Sequence, residues 1–511
     1  AESGDTVTLL TDCASDRINL EKSITVDLNG KVLTSTAEYG VMFCAKNGKT
    51  ITINGTAAGS KLVGTLMVTN GTYGHIVING GTYESDKYCP IYINGAVSTD
   101  DSTLTVTNAT IKALAGNSDQ DNGVAVYLAG YSTSTFTNTT ITAPVTGLEI
   151  RAGKLTLTDC NVTGGNGAVA AKADGSGSTV ANAAVAISQH TTKKDIDVTI
   201  TGGTYTATAA VYQTNVQGTG SENVKASIKS GTFNGTVSAA TNNTVAVSGG
   251  SFSSAVPENC CAAGFIPNNT KDANGYYGVK EGRYVAQVAN KKYETLQAAI
   301  DAASRKATVK LLADTRENVT ISTPYLTLDL NGFTLNGGTG ERKPALTITA
   351  RVTVMDSSEA KTGTIMREDT AENSGVSSHY VIDIQGDGWL TFESGIVKND
   401  SGNAKGQGAS LVRVGDDSVA KYPGLNIKGG TFTQNNFIVI KVDRGDLFLN
   451  GGTLNSTGSY AIEDWHRATV KGGTVNGTVA AWTYSDGLNS TLEISGGTLN
   501  GNVESVSYDG A

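Results

Sequence analysis

The sequence predicts an all-β fold of the parallel β-helix type, with two tandem β-helices and a short capping helix between them. Two observations carry this prediction: a short repeat with a period of about 22 residues, and a long repeat with a period of 302 residues. The composition agrees, because Gly supplies 62 of the 511 residues and Pro only 7, while Thr, Asn, Ser and Val are abundant. These residue types favour strands and turns over helices.

The short repeat is a strand that runs into a Gly-Gly or Ser-Gly pair and resumes at Thr, Ser or an aromatic residue. It occurs at residues 77–83, 199–205, 227–233, 246–252, 426–432, 447–454, 469–475 and 493–499. In the last four copies the second Gly lies at positions 430, 452, 473 and 497, which are 22, 21 and 24 residues apart. A fixed period of this size indicates a solenoid.

The content of each repeat selects the kind of solenoid. A unit holds two alternating runs, such as YAIEDWH at 460–466 and ATVKGGTV at 468–475, and neither has helical spacing. Leucine-rich repeats need a regular Leu and Asn scaffold, which is absent, and propeller blades need about twice this period. Two or three short strands per coil therefore favour a parallel β-helix with inward ladders of Val, Ile and Leu. The Gly-Gly pair fits a sharp corner with positive φ.

The long repeat indicates that the β-helix starts twice. SITVDLNG at 23–30 returns as YLTLDLNG at 325–332, and TVTLLTD at 6–12 returns as TVKLLAD at 308–314 in the same register. Two matches at one offset predict two copies of the same opening coil.

The predicted domains follow from these two openings. We expect a first β-helix over residues 1–256 and a second over residues 303–511. Residues 257–302 should form an irregular closing element, a hairpin and the capping helix. The helix itself is predicted over KYETLQAAIDAASR at 292–305. Its apolar face consists of Leu296, Ala299, Ile300 and Ala303.

The ends of a solenoid expose strand edges unless another element covers them. We therefore expect the helix to cap the first coil of the second β-helix. The first β-helix starts without such a helix, and the second ends without a closing element. These two features predict a fragment of a longer array and allow head-to-tail self-association of chains.

The bulk properties exclude several classes of function. The net charge is −9 and no basic stripe occurs, so nucleic acid is not an expected partner. No apolar run approaches the roughly 20 residues that a membrane helix needs, so we expect no membrane insertion. The six cysteines do not form a dense disulfide pattern, and we interpret them as small buried hydrophobic residues, although a bridge between Cys13 and Cys44 or one that involves Cys89 stays open.

The openings and coils resemble those of repeat-rich surface proteins of gut Firmicutes. The matching segments are residues 293–303, 308–314 and 326–332, followed by Gly-Gly-Thr coils over most of the chain. The resemblance implies a secreted, cell-wall-associated, right-handed β-helix with the architecture of pectate lyases. It supplies no catalytic residues.

An enzymatic function is a candidate because many parallel β-helices are polysaccharide lyases or hydrolases. The acidic candidates are Asp100, Asp101, Asp383, Asp416 and Asp417. None has the stacking partners that a calcium-dependent lyase or an inverting hydrolase needs. The histidines, His75, His190, His379 and His466, lack the spacing of a zinc site or a catalytic triad. The sequence therefore predicts no catalytic residue, no metal and no cofactor.

Alignment of the second β-helix by its Gly-Gly-Thr markers predicts one face dense in aromatic and charged side chains. Its first outward column is Arg413, Lys441, Glu463 and Trp482, and its second is Asp443, Trp465 and Tyr484. The adjoining turn adds Arg444, Asp464, His466 and Arg467. We expect Glu463 and Trp482 to be exposed neighbours with Trp465 and Tyr484 beside them, and Ile440 and Ile462 to point into the core.

This face predicts a binding protein rather than an enzyme. Aromatic faces pack against the C–H surfaces of sugars while charged groups bind the hydroxyls. We expect a non-catalytic extracellular scaffold or adhesin that binds an extracellular glycan or a host surface protein. A polysaccharide-active enzyme is the alternative, and a solvated face held by ion pairs and aromatic pairs is the purely structural interpretation. Residues 444–446 also spell RGD, which is more often a plain turn than an integrin ligand.

Overall fold

The fold is described from a computed structural model of the whole chain. The described residues are 1–507 without 70, 95–101, 115–122, 173–179, 192, 219–222, 241–243, 339–342, 369–379, 400–409, 417–420, 435–436 and 484–489. The chain divides into two compact units, Ala1–Gly282 and Arg283–Ala511. The predicted closing element belongs to the first unit, and the predicted hairpin and helix belong to the second.

Each unit is a parallel β-helix, as the repeats predict. A coil contributes up to three short strands, and each strand pairs in parallel with its counterpart in the next coil. The strands build three faces, which we name A, B and C in chain order. Two coils near the end of each unit bend from face B into face C without a break in the strand.

The first unit has the following strands. Face A contains Thr6–Thr8, Ile24–Asp27, Lys49–Gly55, Gly74–Gly80, Ser102–Thr107, Ser132–Thr137, Gly153–Thr158, Ile196–Thr201, Val224–Ile228 and Val245–Val247. Face B contains Cys13–Ser15, Val32–Ser35, Lys61–Val63, Thr82–Ser85, Thr110–Ala113, Thr140–Thr142, Asn161–Thr163, Thr204–Thr214, Thr232–Ser238 and Ser251–Phe252. Face C contains Ile18–Asn19, Val41–Ala45, Thr65–Val68, Ile91–Ile93, Val124–Leu128, Thr146–Ile150, Ala183–Ser188 and the second halves of Thr204–Thr214 and Thr232–Ser238.

Two antiparallel pairs and a 3-10 helix complete the first unit. The pairs are Ala170–Ala171 with Val180–Ala181, and Phe265–Asn268 with Gly278–Glu281. The 3-10 helix is Glu258–Cys260. The last pair and the 3-10 helix form the irregular closing element that the sequence predicts.

The second unit repeats the arrangement. Face A contains Thr308–Leu311, Leu326–Asp329, Arg351–Met355, Trp389–Phe392, Gly424–Ile427, Asp446–Leu449, Arg467–Val470 and Thr491–Ile494. Face B contains Thr315–Arg316, Thr334–Asn336, Thr364–Arg367, Ile396–Asn399, Thr431–Gln434, Thr453–Asp464, Thr474–Thr483 and Thr498–Asn500. Face C contains Val319–Ile321, Leu346–Ile348, Ile382–Ile384, Val412–Val414, Ile440–Val442, Val503–Ser507 and the second halves of Thr453–Asp464 and Thr474–Thr483.

The opening coils of the two units share their local structure. Asn29 and Asn331 both adopt a left-handed backbone, with φ of 48° and 47°. Each donates its side-chain amide to the previous coil, to the carbonyl oxygens of Leu9 at 3.0 Å and Leu311 at 2.9 Å. The long repeat therefore encodes the same turn in both units, with equivalent residues 302 positions apart.

The Gly-Gly pairs form the corner between faces A and B, and in the second unit the two glycines are needed for different reasons. The second glycine has positive φ, as predicted: 87° at Gly430, 81° at Gly452, 80° at Gly473 and 91° at Gly497. The first glycine leaves room for the backbone of the neighbouring coil. A Cβ would lie 2.2 Å from the Lys428 carbonyl oxygen at Gly451 and 2.5 Å from that of Asn450 at Gly472. Any larger residue would push the coils apart.

The core of each unit is a set of ladders between the three faces. In the second unit the face C ladder is Ile382, Val412, Ile440, Ile462 and Val479, all fully buried. The inward orientation predicted for Ile440 and Ile462 is confirmed. In the first unit three aromatic rings stack along face B, with centroids 4.9 Å apart from Tyr205 to Phe233 and from Phe233 to Phe252.

The capping helix runs from Leu296 to Ala302 and lies against the first coil of the second unit. Its predicted apolar residues are buried in the core of that unit. The Thr295 side chain accepts from the Ala298 N–H, and the Glu317 carboxylate accepts from the N–H groups of Leu296 and Gln297. A hairpin, Ala286–Val288 with Lys291–Tyr293, covers the open edge of the first face A strand. Residues 286–302 therefore supply both the helix that caps the first coil and the hairpin that covers the edge of face A.

Five of the six cysteines are buried, as the sequence predicts, and Cys13 is exposed. No disulfide bond joins any of the six cysteines, so the bridge between Cys13 and Cys44 and the one that involves Cys89 do not form. Among the described residues no helix is long and apolar enough to cross a membrane.

Candidate functional site

The first predicted column is partly confirmed. Arg413, Lys441 and Glu463 are neighbours in register on the outer side of face C, and Asp383 precedes them. Trp482 does not follow, because Ala480 lies opposite Glu463. The predicted register is therefore wrong by two residues at Trp482. Tyr484 lies outside the described residues.

The cause of this error is the corner between faces B and C. Seven positions separate Asn455 from Ile462 in one coil, whereas three separate their partners Asn476 and Val479 in the next. The extra residues form an irregularity within the strand Thr453–Asp464. The alignment placed the length difference in the later turn instead. The correct register moves Trp482 into the column of Trp465, and the two rings stack with centroids 4.8 Å apart.

The predicted exposure of the columns is also wrong. The side chains point away from the core, yet Glu463 is only 8% exposed and Trp465 only 9%. Asp443 and Asp383 are more deeply buried still, at 4% and 2%. The long outward side chains of this face pack against one another. A side chain that points away from the core is therefore not necessarily exposed to solvent. Trp482 is half-buried.

Asp383 and Arg413 form the best-defined contact of the cluster. The Arg413 Nε and Nη2 groups donate to the two oxygens of Asp383 at 2.9 and 2.7 Å. The guanidinium also lies over the ring of Tyr380, 4.5 Å from its centroid, and Gln385 donates to Asp383 at 2.5 Å. Two parallel hydrogen bonds between charged groups hold a fixed geometry.

Lys441 forms a second ion pair, with Asp443, at 2.8 Å. Burial alone would lower the pKa of Lys441, but the charge and hydrogen bond of Asp443 outweigh it, so the pKa is raised. Glu463 lies next to Lys441 in register and accepts from the Trp465 indole N–H at 2.8 Å. Burial raises the pKa of Glu463, against the effects of Trp465 and Lys441. The cluster therefore combines paired charges with one carboxyl that is shifted toward its neutral form.

A groove opens beside Tyr460, whose ring contacts Trp482. It has a volume of about 560 Å³ and is polar, with Tyr460 and Glu504 in its wall. Its other lining residues are Ser456, Thr457, Gly458, Ser459, Gly477 and Thr478. The Tyr460 ring meets Trp482 edge to face, with centroids 5.9 Å apart. The groove thus follows the irregular corner, and the ring in its lining, that of Tyr460, leads to the stacked rings of Trp482 and Trp465.

Asp464 differs most from its predicted place. It was expected at the adjoining turn, but it points inward, in the core column of Val414, Val442 and Ala481. It is fully buried; one oxygen accepts from the His466 N–H at 3.1 Å, and Oδ2 has no hydrogen-bond partner among the described residues. Burial raises the pKa of Asp464 to about 7. This carboxyl replaces a hydrophobic side chain in the ladder directly below the candidate site.

The turn residues lie toward face A rather than in the groove. His466 stacks on Tyr422, with centroids 4.7 Å apart, and Arg467 binds Asp446 through two hydrogen bonds. Arg444 is half-buried. Within the RGD sequence Gly445 and Asp446 are buried, and Asp446 already starts a strand. This tripeptide is therefore not displayed on a loop.

Several catalytic candidates from the sequence lie outside the described residues. Asp100, Asp101, Asp417 and His379 lie outside the described residues, and Asp383 is held by Arg413. No group of three or more His, Cys, Asp or Glu side chains that could hold a metal occurs in the part of the chain that the structure describes.

Sequence reasoning missed Tyr380, Tyr422 and Tyr460, because single aromatic residues in connections and at an irregular corner carry no periodic signal. It also missed a buried pair in the first unit, where Arg151 Nε donates to Glu149 at 2.9 Å. The adjacent charges in the otherwise uncharged stretch TGLEIRAG were the available signal.

No model of a known protein family matches the sequence, and no curated protein matches it.

The two stacked tryptophans should differ in their effect on stability. We expect Trp465→Ala to lower the free energy of unfolding by about 2–4 kcal/mol, because it removes buried packing and leaves the Glu463 carboxyl without its indole donor. Trp482→Ala should cost clearly less, since that ring is half-buried. Urea unfolding of the two variants measures the difference. Equal costs would contradict the burial found here.

Proposed function

We propose that the chain is a non-catalytic extracellular scaffold that binds a glycan through the second unit. The groove beside Tyr460 and Trp482 carries this proposal. Its lining combines the hydroxyl groups of Ser and Thr side chains and one carboxylate with the Tyr460 ring, which meets the Trp482 ring edge to face. Sugars need this combination, because hydroxyls bind polar groups while the C–H faces pack against rings.

The β-helix supports a scaffold function in a second way. Stability in a solenoid is a sum of neighbouring coil contacts, so faces can carry binding groups without disturbing a single central core. The resemblance to surface proteins of gut Firmicutes supports a location at the outer surface of a bacterial cell. Secretion and surface attachment are part of this proposal.

One observation favours a second candidate function, a polysaccharide-active enzyme. The raised pKa of Glu463, beside Lys441 and the buried Asp443, is a property of general acids. A hydrolase needs two carboxyl groups on opposite sides of the scissile bond. Here Asp443 is already paired with Lys441, and Glu463 is 8% exposed, which favours binding over catalysis.

A glycan array followed by two activity assays separates these candidates. Binding of the full chain to array glycans, without release of reducing ends or unsaturated products from the same glycans, supports the scaffold. Turnover that Glu463→Gln abolishes would support the enzyme and overturn the non-catalytic proposal. Binding to no glycan would overturn the proposed ligand class.

Head-to-tail self-association stays a prediction from the strand edges. Light scattering over a concentration series should show growing particles. A strict monomer at high concentration would contradict it.

A further inference from the structure

The third tryptophan, Trp389, lies on face A of the second unit, away from the groove between faces B and C. Its neighbour in the next coil is Gly424. A Cβ at Gly424 would come within 2.4 and 2.5 Å of the Trp389 ring atoms Cε3 and Cζ3. The φ of Gly424 is not in the left-handed region, so its backbone does not demand glycine. The missing side chain instead leaves room for the indole to lie across the sheet.

Other side chains continue this surface on both sides of the ring. The Arg351 guanidinium, on the preceding strand, lies over the Trp389 ring at 5.4 Å from its centroid. The Phe448 ring lies 6.0 Å from the Trp389 ring at an angle of 30°. Trp389 and Phe448 are half-buried, and Arg351 is exposed. The stacked rings of Tyr422 and His466 lie at the start of neighbouring face A strands, and Tyr422 is 59% exposed.

The basic side chains around the Trp389 ring differ in whether they have an acidic partner. Arg467 is paired with Asp446, and Lys421 with Asp387. Arg351 has no carboxylate within ion-pair distance among the described residues. An exposed guanidinium without an acid partner, next to a flat aromatic ring, is complementary to an anionic ligand with an apolar face.

We propose that Trp389, Arg351 and Phe448 form a second carbohydrate site, specific for an acidic sugar such as a uronic or sialic acid residue. The sugar ring packs on Trp389 and its carboxylate binds Arg351 through two hydrogen bonds. Gly424 is a positioning residue, since it keeps the indole flat. This site stands on different residues from the groove, so it does not depend on the proposed function of the groove.

The test is binding of the full chain to a panel of glucuronate-, galacturonate- and sialate-bearing oligosaccharides, each paired with its carboxyl-reduced form. We expect at least one acidic member to bind and its reduced form to bind more weakly. Trp389→Ala should weaken that binding roughly tenfold. Gly424→Ala should weaken it too, because the added Cβ displaces the ring. Arg351→Gln should remove the preference for the acidic form over the reduced form.

Two matched variants serve as controls. Tyr39→Ala removes an exposed ring of the first unit, 70% exposed, which lies in a different unit from this site. Trp482→Ala alters the groove. Both should leave acidic-sugar binding unchanged, and thermal melting should show every variant folded. The proposal is overturned if no acidic member binds, if folded Trp389→Ala binds like the wild type, or if Trp482→Ala alone abolishes binding.

Discussion

Replacement of Arg413 with Met should lower the free energy of unfolding of the second unit by about 3 kcal/mol or more. The side chain of its partner Asp383 is only 3% exposed and would remain buried without its bidentate donor. Breaking a buried pair from one side costs more than the pair itself contributes, because the remaining charge is desolvated and uncompensated. Urea unfolding followed by tryptophan fluorescence reports on this unit, since all three Trp residues lie in it.

Two further variants separate burial from charge in this experiment. The double variant Asp383→Leu, Arg413→Met should recover most of the lost stability, because it removes both charges and fills the space with apolar atoms. Lys428→Met breaks a pair of similar length, 2.9 Å to Glu393, whose partners are 49% and 39% exposed. It should change stability by less than about 1 kcal/mol. A cost for Lys428→Met equal to that of Arg413→Met would contradict the role given to burial.

Asp464→Asn should stabilise the second unit above neutral pH and have little effect near pH 4. Burial raises the folded-state pKa of Asp464 to about 7, against an ordinary value of 3.8. The folded protein therefore binds the proton more tightly than the unfolded chain does. Stability from this group is fully present below about pH 4 and is lost as the pH rises through 7. The full difference is on the order of 4 kcal/mol.

The measurement is the free energy of unfolding of wild type and Asp464→Asn between pH 4 and 8.5. Asn keeps an oxygen that accepts from the His466 N–H but cannot ionise, so the two curves should meet at low pH and diverge above it. Asp301→Asn, on the exposed side of the capping helix, should follow the wild-type curve. Parallel wild-type and Asp464→Asn curves over the whole range would show that Asp464 is not a buried ionising group.

The fold could be predicted because its signals are periodic. Each Gly-Gly-Thr marker fixes one corner, and Thr431, Thr453, Thr474 and Thr498 are indeed stacked in register. The inward ladder followed from alternation alone, as Ile440 and Ile462 show. Chemical detail that repeats in every coil is therefore readable from sequence.

The site was less predictable because it depends on departures from the repeat. The irregular corner before Ile462 shifts the register of Trp482 by two residues. No residue pattern in the sequence predicts this irregularity. Alternation gives the direction of a side chain but not what packs on it, so Glu463 and Trp465 were expected to be exposed. Asp464 was expected at the adjoining turn, but it continues the strand and takes a place in the hydrophobic ladder, where burial of a carboxylate is costly. The contact between the Trp389 ring and Gly424 could not be predicted, because it depends on the register of two coils that are 35 residues apart in sequence.

The most direct test of glycan binding by the second unit is a calorimetric titration of the full chain with the best array ligand. The account predicts saturable binding without turnover heat, and a loss of about tenfold or more in affinity for the double variant Tyr460→Ala, Trp482→Ala at a nearly unchanged melting temperature. Phe333→Ala, which alters a half-buried ring outside the groove, should bind like the wild type. Unchanged affinity in the folded double variant would contradict the groove as the binding site, and continuing heat from ligand cleavage would contradict a non-catalytic scaffold.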